Sequence, residues 1–259
     1  MATAQGSGWR DLPMSVQSFS LEDFDLKGVV DNAKKLGFSR IEFFNKHLSP
    51  RSSQAEITYA KKLLNRAGIT ISAYGLFSFT DNSKRNRSMF DFATLADIKN
   101  IVAEIEPEAF DDVGELATEY NIRVCIHTSG PNSRYEKLET LVKDLAKQPA
   151  NVGACVDTGH ILRSGGDPEK WIDALSGRVF AVHLTDVAEK KPSTHSAVLG
   201  KGNLNLDKVL AALLRVRFPR DGSIAVGFQA SSCARLMTPP GELPNALGPL
   251  SQISRTILA

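Results

Sequence analysis

Three segments of the chain each carry a small residue and, two positions later, a side chain able to bind a cation or move a proton. These are Cys125 with His127, Cys155 with Asp157, and Ala181 with His183. In an extended strand, residues two apart share a face, so each pair points one way, with the polar member nearer the strand's C-terminal end. Two imidazoles and a carboxylate brought to one rim can hold a divalent ion or divide acid–base roles. Asp157-Thr158-Gly159-His160 adds a fourth group. His160 can approach the same rim, or it can fix the turn and steady a ligand from behind. His47, after the second apolar run, is a candidate substrate contact, whereas His195 reads as a solvated loop residue.

The elements that must position these groups are short apolar runs alternating with helical patterns. Strands are expected over Met14–Leu21, Arg40–Asn45, Thr70–Phe77, Asn100–Glu106, Arg123–Thr128, Val152–Thr158, Val179–Val187 and Ser223–Gln229. Helical spacing appears at Val29/Val30/Ala33/Leu36, Ala60/Leu63/Leu64/Ala67, Phe90/Phe92/Leu95 and Leu116/Ala117/Tyr120. It recurs at Leu138/Leu141/Val142/Leu145, Trp171/Ile172/Leu175, Val209/Leu210/Leu213/Leu214 and Leu250/Ile253/Ile257. Continuous apolar runs such as Val124-Cys125-Ile126 suit strands covered on both faces. Eight strands alternating with eight helices predict an α/β (β/α)8 TIM barrel in a single domain. The rival, an open doubly wound sheet, lacks its Gly-rich turn after the first strand. The long irregular stretches Ala188–Lys201 and Ala230–Asn245 both follow strands, as loops over the mouth or as plain surface loops.

The chain has 259 residues, 42% hydrophobic and 23% charged, with a formal net charge of +2. That is an ordinary globular composition, against disorder and against a broad nucleic-acid-binding field. The three cysteines, Cys125, Cys155 and Cys233, have no CxxC or metal-ligand spacing and suit reduced thiols. No apolar run approaches the roughly 20 residues of a membrane span. Residues 1–13 lack an apolar signal region and are expected to form a flexible tail, leaving 14–259 as the barrel domain. A cytoplasmic location is expected, with export behind a removed leader left open. Partners are expected to be small molecules, with neither nucleic acid nor membrane, and a homo-oligomer is left open.

Four segments carry a more specific signal. They are Ile41-Glu42-Phe43-Phe44-Asn45-Lys46-His47-Leu48, Ile126-His127-Thr128-Ser129-Gly130-Pro131, Asp157-Thr158-Gly159-His160, and Gly177-Arg178-Val179-Phe180-Ala181-Val182-His183-Leu184-Thr185-Asp186. In this order, with the Leu199-Gly200-Lys201-Gly202 turn, they resemble the sugar phosphate isomerase/epimerase family, the xylose isomerase-like barrels. The resemblance implies a divalent metal held by four residues at the ends of strands five to eight: Glu or His, then Asp, His and Glu. The first three positions fall on His127, Asp157 and His183, and His160 matches a position near the site.

The chain departs from that pattern at the eighth strand. The fourth-ligand position is Gly227, and the second carboxylate of that motif is Gln229. Thr128 and Ser129 replace an Asn and a second His, and Thr185 replaces a Lys. A set of two His and one carboxylate suits Zn²⁺ or Fe²⁺ better than Mg²⁺ or Mn²⁺, so the expected ion is Zn, Mn or Fe, or none is held. A symmetric epimerase mechanism with a Glu on each face of the substrate is not expected. His127 or His160 is then the expected catalytic group, with Glu42, His47, Glu104 and Gln229 as substrate contacts. Glu42 and His47 are also candidate bases; Glu104 and Glu106 are further ones, though they read first as ordinary loop or surface carboxylates. Relatives that cut abasic DNA need further ligands this chain lacks. Three readings remain: a metal-assisted isomerase or epimerase of sugars, keto-sugars or sugar phosphates; a catalytically degenerate ligand-binding or partner subunit; and a divergent lyase with a histidine base.

Overall fold

A computed structural model describes residues 12–227. Its eight parallel strands close into a barrel: β1 (Met14–Gln17), β2 (Arg40–Phe43), β3 (Thr70–Phe79), β4 (Asn100–Ile105), β5 (Arg123–His127), β6 (Val152–Asp157), β7 (Val179–Leu184) and, after a two-residue hairpin β8–β9 (Asp186–Val187, Ser196–Ala197), β10 (Ser223–Val226). β1 pairs with β10 and closes the cylinder. The helices are α1 (Leu26–Lys35), α2 (Gln54–Ala67), α3 (Ser83–Leu95), α4 (Phe110–Glu119), α5 (Leu138–Leu145), α6 (Thr158–Arg163), α7 (Pro168–Ala174) and α8 (Leu206–Arg215).

Local chemistry sets where the helices begin. Asp25 caps α1 by accepting the Gly28 N–H. Ser53 and Glu56 form a reciprocal capping box on α2, which ends at Gly68 with a φ of 71°, a conformation that costs glycine nothing. Asn82 and Asn205 cap α3 and α8. Each helix then turns its apolar stripe to the barrel, as α8 does with Val209, Leu210, Ala212 and Leu213.

Inside the cylinder, Cys125, Cys155 and Ala181 pack together with Ala73, Val102 and Phe180. These small residues form the layer beneath the polar rim, as the period of two requires. Both thiols are buried and outside any disulfide, and burial pushes that of Cys155 up to about 11.

The described elements depart from expectation at a few points. The first strand stops at Gln17 and continues as a 3-10 turn, Ser18–Leu21. The seventh breaks after Leu184, and Asp186–Val187 pairs with Ser196–Ala197 instead. A short helix, α6, starts at Thr158 where only a turn was expected, because the Asp157 carboxylate caps it by accepting the His160 N–H. The expected tail, the end of the eighth strand with Gln229, Cys233, the stretch Ala230–Asn245 and the last helix lie outside the described residues, save Leu12 and Pro13.

Candidate metal centre at the barrel mouth

Register brings the rim together. β5 pairs with β6 so that His127 lies opposite Cys155, and β6 pairs with β7 so that Asp157 lies opposite His183. One ligand atom from each of His127, Asp157 and His183 falls within 4.8 Å of the other two, and all three residues are buried. Asp157 Oδ2 stands 3.6 Å from His127 Nε2 and 3.6 Å from His183 Nδ1, slightly beyond hydrogen-bond length. Two atoms each about 2.0–2.1 Å from a common zinc ion stand roughly 3.3 Å apart at the tetrahedral angle. The donor set and its spacing therefore fit a divalent ion, with small adjustments.

The outer atoms of the same side chains are each held. Asp157 Oδ1 accepts the His160 N–H at 2.9 Å and the Thr185 hydroxyl at 2.8 Å, which leaves Oδ2 for the cluster. Ser129 donates its hydroxyl to Glu104 Oε1 at 2.8 Å and lies 3.0 Å from His127 Nδ1. A hydroxyl has one proton, so Ser129 must accept from Nδ1–H, and His127 Nε2 turns a lone pair inward. His183 Nε2 lies 2.7 Å from Glu42 Oε1, an acceptor-only carboxylate, so Nε2 donates and Nδ1 turns its lone pair inward. Two lone pairs and one carboxylate oxygen thus converge on one point, an arrangement that repels itself unless a cation, proton or metal, sits between them.

The electrostatics agree. Burial alone would raise the Asp157 carboxyl, but the His127 and His183 imidazoles outweigh it and hold it well below the usual carboxylate range. Burial opposes charge on His183, yet the neighbouring Cys155, Glu42 and Asp157 side chains raise it well above an ordinary imidazole. Glu42 is fully buried and is held from its other side by the Ser223 hydroxyl, 3.1 Å from Oε2.

The remaining candidates fall in different places. Glu42 lies beneath His183 inside the barrel, and Glu104 lies beyond Ser129. Both reach the cluster through the outer nitrogen of a histidine. His160 packs edge-on to His127, ring centroids 5.6 Å apart. Its Nδ1 is buried without a partner against Gly130, and burial lowers its pKa. Any chemistry at His160 therefore runs through Nε2. His47 is drawn away from the cluster, its Nε2 bonded to the Phe24 carbonyl at 2.9 Å. At Gly227, a Cβ would meet Gln17 Oε1 at 2.8 Å, so the space of a fourth ligand is partly taken by an amide. Sequence reasoning missed Gln17, Thr185 as an anchor for Asp157, and Ser129 as a link. For Ser129 a signal existed, since it lies two residues beyond His127.

Beside the cluster, a cavity of about 490 Å³ is lined by His127, Ser129, Glu104, Ser78, Arg134 and Tyr135, among others. No helix among the described residues is long and apolar enough to cross a membrane.

Comparison with known proteins gives a consistent picture. The model of the xylose isomerase-like TIM barrel family matches residues 30–239. Inosose dehydratase of Lactiplantibacillus plantarum is 36% identical over 78 residues, 30% of this chain and 26% of that protein; the match spans about a quarter of that relative. Among solved structures, the IolI protein with a bound zinc atom is 16% identical over 95% of this chain and 98% of its own, with a TM-score of 0.76. The probable 3-DHS dehydratase AsbF of Bacillus anthracis is 15% identical over 96% and 99%, with a TM-score of 0.75. The D-allulose 3-epimerase of Methylomonas sp., in complex with D-allulose, is 15% identical over 83% of each chain, with a TM-score of 0.64. At these identities the structures speak for the fold.

Proposed function

The chain belongs to the xylose isomerase-like TIM barrel family, and from that premise we propose that it is an enzyme of sugars or keto-sugars that moves a proton on carbon next to a carbonyl. His127, Asp157 and His183 would hold a divalent ion, zinc or iron before manganese. The observation that carries this reading is the inward convergence of His127 Nε2, His183 Nδ1 and Asp157 Oδ2, with each outer atom tied to its own partner. The donor set has two imidazoles and one carboxylate, which favours borderline ions over hard ones. Such an ion, when bound, polarises the substrate carbonyl and stabilises an enediolate.

The protein's own groups do the rest. Glu42 and the Ser129–Glu104 pair fix the ring planes and tautomers of the two ligand histidines. Thr185 and the α6 amide hold the Asp157 carboxylate. His160, kept neutral by burial, is the candidate proton carrier through Nε2. Gly227 provides no second carboxylate on the opposite face, so the chain is not expected to invert a stereocentre by a two-base route. A single base either returns the proton to the neighbouring carbon, which is isomerisation, or hands it to a β-hydroxyl that leaves as water while the enediolate electrons form the new double bond, which is dehydration.

The test is turnover of keto-sugars and keto-inositols by protein loaded with Zn²⁺, Mn²⁺ or Fe²⁺, followed by NMR in D₂O. Solvent deuterium at the carbon next to the carbonyl, lost in His160→Gln, is the expected result. No exchange with any ion, together with no metal uptake, would overturn it and leave a ligand-binding barrel.

A further inference from the structure

A second cavity, about 830 Å³, opens on the β2–β3 side of the mouth. Its wall includes Arg51 from the loop after β2, Lys84 and Arg85 from the first turn of α3, and Tyr74 from β3. No Asp or Glu among the described residues lines it. Among the described residues, none of the three cations is in an ion pair, although Lys27, Lys61, Arg87, Arg123, Arg134 and Arg215 all are. Arg85 is nonetheless held in place: it donates to the Ser78 carbonyl, and its guanidinium lies 4.4 Å over the Phe77 ring. Tyr74 is 1% exposed, yet its hydroxyl is buried without a hydrogen-bond partner. A buried hydroxyl left unpaired costs free energy, and here it belongs to a residue of the cavity wall. Burial raises the Tyr74 phenol, so it stays a donor.

We propose that this cavity is an oxyanion subsite that takes a phosphate-type dianion, the far end of a two-ended substrate whose reacting end lies at His127, Asp157 and His183. Three uncompensated cations and one orphan donor match a group with two charges and several acceptor oxygens; a single carboxylate would leave more of that charge unneutralised. The two cavities adjoin, sharing Ser78 on their walls, which is what a two-ended substrate would need. The inference rests on the enzymatic reading for the role of the subsite, and on the cavity alone for its existence.

The experiment measures phosphate binding directly, without turnover. Inorganic phosphate is titrated into the full chain at fixed ionic strength, with succinate as the carboxylate comparison, and binding is followed by calorimetry and ³¹P line width. One saturable site is expected. The double substitution Arg51→Gln with Lys84→Gln should weaken it by about tenfold or more, since it removes two of the three charge-assisted donors. Tyr74→Phe should weaken it several-fold, and His127→Gln should leave it unchanged. Arg51 and Lys84 are exposed, so their substitution should leave the melting temperature in place. Unchanged phosphate affinity in the double variant would overturn the proposal. So would loss of binding in His127→Gln, which would put the anion at the metal centre, or tighter binding of succinate. Phosphate binding without turnover would sink only the enzymatic reading, and metal-dependent turnover without phosphate binding only this one.

Discussion

At the scale of single residues, the site is defined by what stands behind its three inward atoms. Ser129 has no contact with the cluster centre, yet it decides which nitrogen of His127 carries the proton. Ser129→Ala should lower zinc affinity by about tenfold to a hundredfold, while Ser129→Thr, which keeps the hydroxyl, should restore most of it; competition with a fluorescent chelator reads both. His47 makes the opposite kind of prediction. It is 7% exposed, with Nε2 on the Phe24 carbonyl and Nδ1 buried without a partner. Burial lowers its pKa, since a proton on Nδ1 would have no acceptor. Below about 6.5 the unfolded chain binds a proton that the folded one refuses. Stability should therefore fall as pH drops from 7 through 6, and His47→Gln should flatten that fall in urea melts taken across the range. A slope unchanged by the substitution would remove His47 from the account.

At the scale of elements, the rim depends on strand register. β6 and β7 lose step between Ala154 and Cys155, which pair with Val179 and Ala181. Phe180 is the extra residue, and its ring covers Gly153. A methyl at Gly153 would overlap the Arg178 carbonyl oxygen and the Phe180 ring. Gly153→Ala should cost about 1–3 kcal/mol and, by disturbing the register that sets Asp157 opposite His183, should weaken metal uptake as well. Chemical denaturation and metal titration on the same variant check both halves. A stable Gly153→Ala with full metal affinity would mean that the β6–β7 register does not control the site. The short helix α6 follows the same logic: Asp157 is both its cap and the shared carboxylate, so the helix cannot form without aiming that side chain.

At the scale of the whole molecule, the barrel ties the candidate metal centre to its own closure. Glu42 on β2 is bonded to His183 on β7 and to Ser223 on β10, and Ser223 also lies within hydrogen-bond distance of Ser15 on β1 and Ser72 on β3. This buried polar belt crosses the β1–β10 seam, so occupancy at the rim should be felt in global stability. Zinc at a hundred times its dissociation constant should stabilise the fold by about 2.7 kcal/mol, a rise in melting temperature of roughly 5–10 °C for a domain of this size. Chelator should reverse it. A melting temperature indifferent to zinc, manganese and iron would remove the metal from the account.

The sequence by itself determined the architecture and the identity of the rim. Apolar periodicity and the alternation of strand and helix are local properties, and the period of two already puts His127, Asp157 and His183 above Cys125, Cys155 and Ala181. Tertiary structure alone decided how those groups are used. Glu42 and Glu104, expected from sequence as substrate contacts, stand behind the histidines instead: Glu42 meets His183 across the interior, and Glu104 on β4 holds Ser129, the partner of His127, because β4 pairs with β5. Barrel stagger laid Gln17 over Gly227 and left Tyr74 with an unpaired hydroxyl in a wall that also carries three cations without ion pairs among the described residues, while the loop after β2 turned His47 onto the Phe24 carbonyl. Distances across a closed sheet are fixed by tilt and register over the whole cylinder, and no local stretch of residues encodes them.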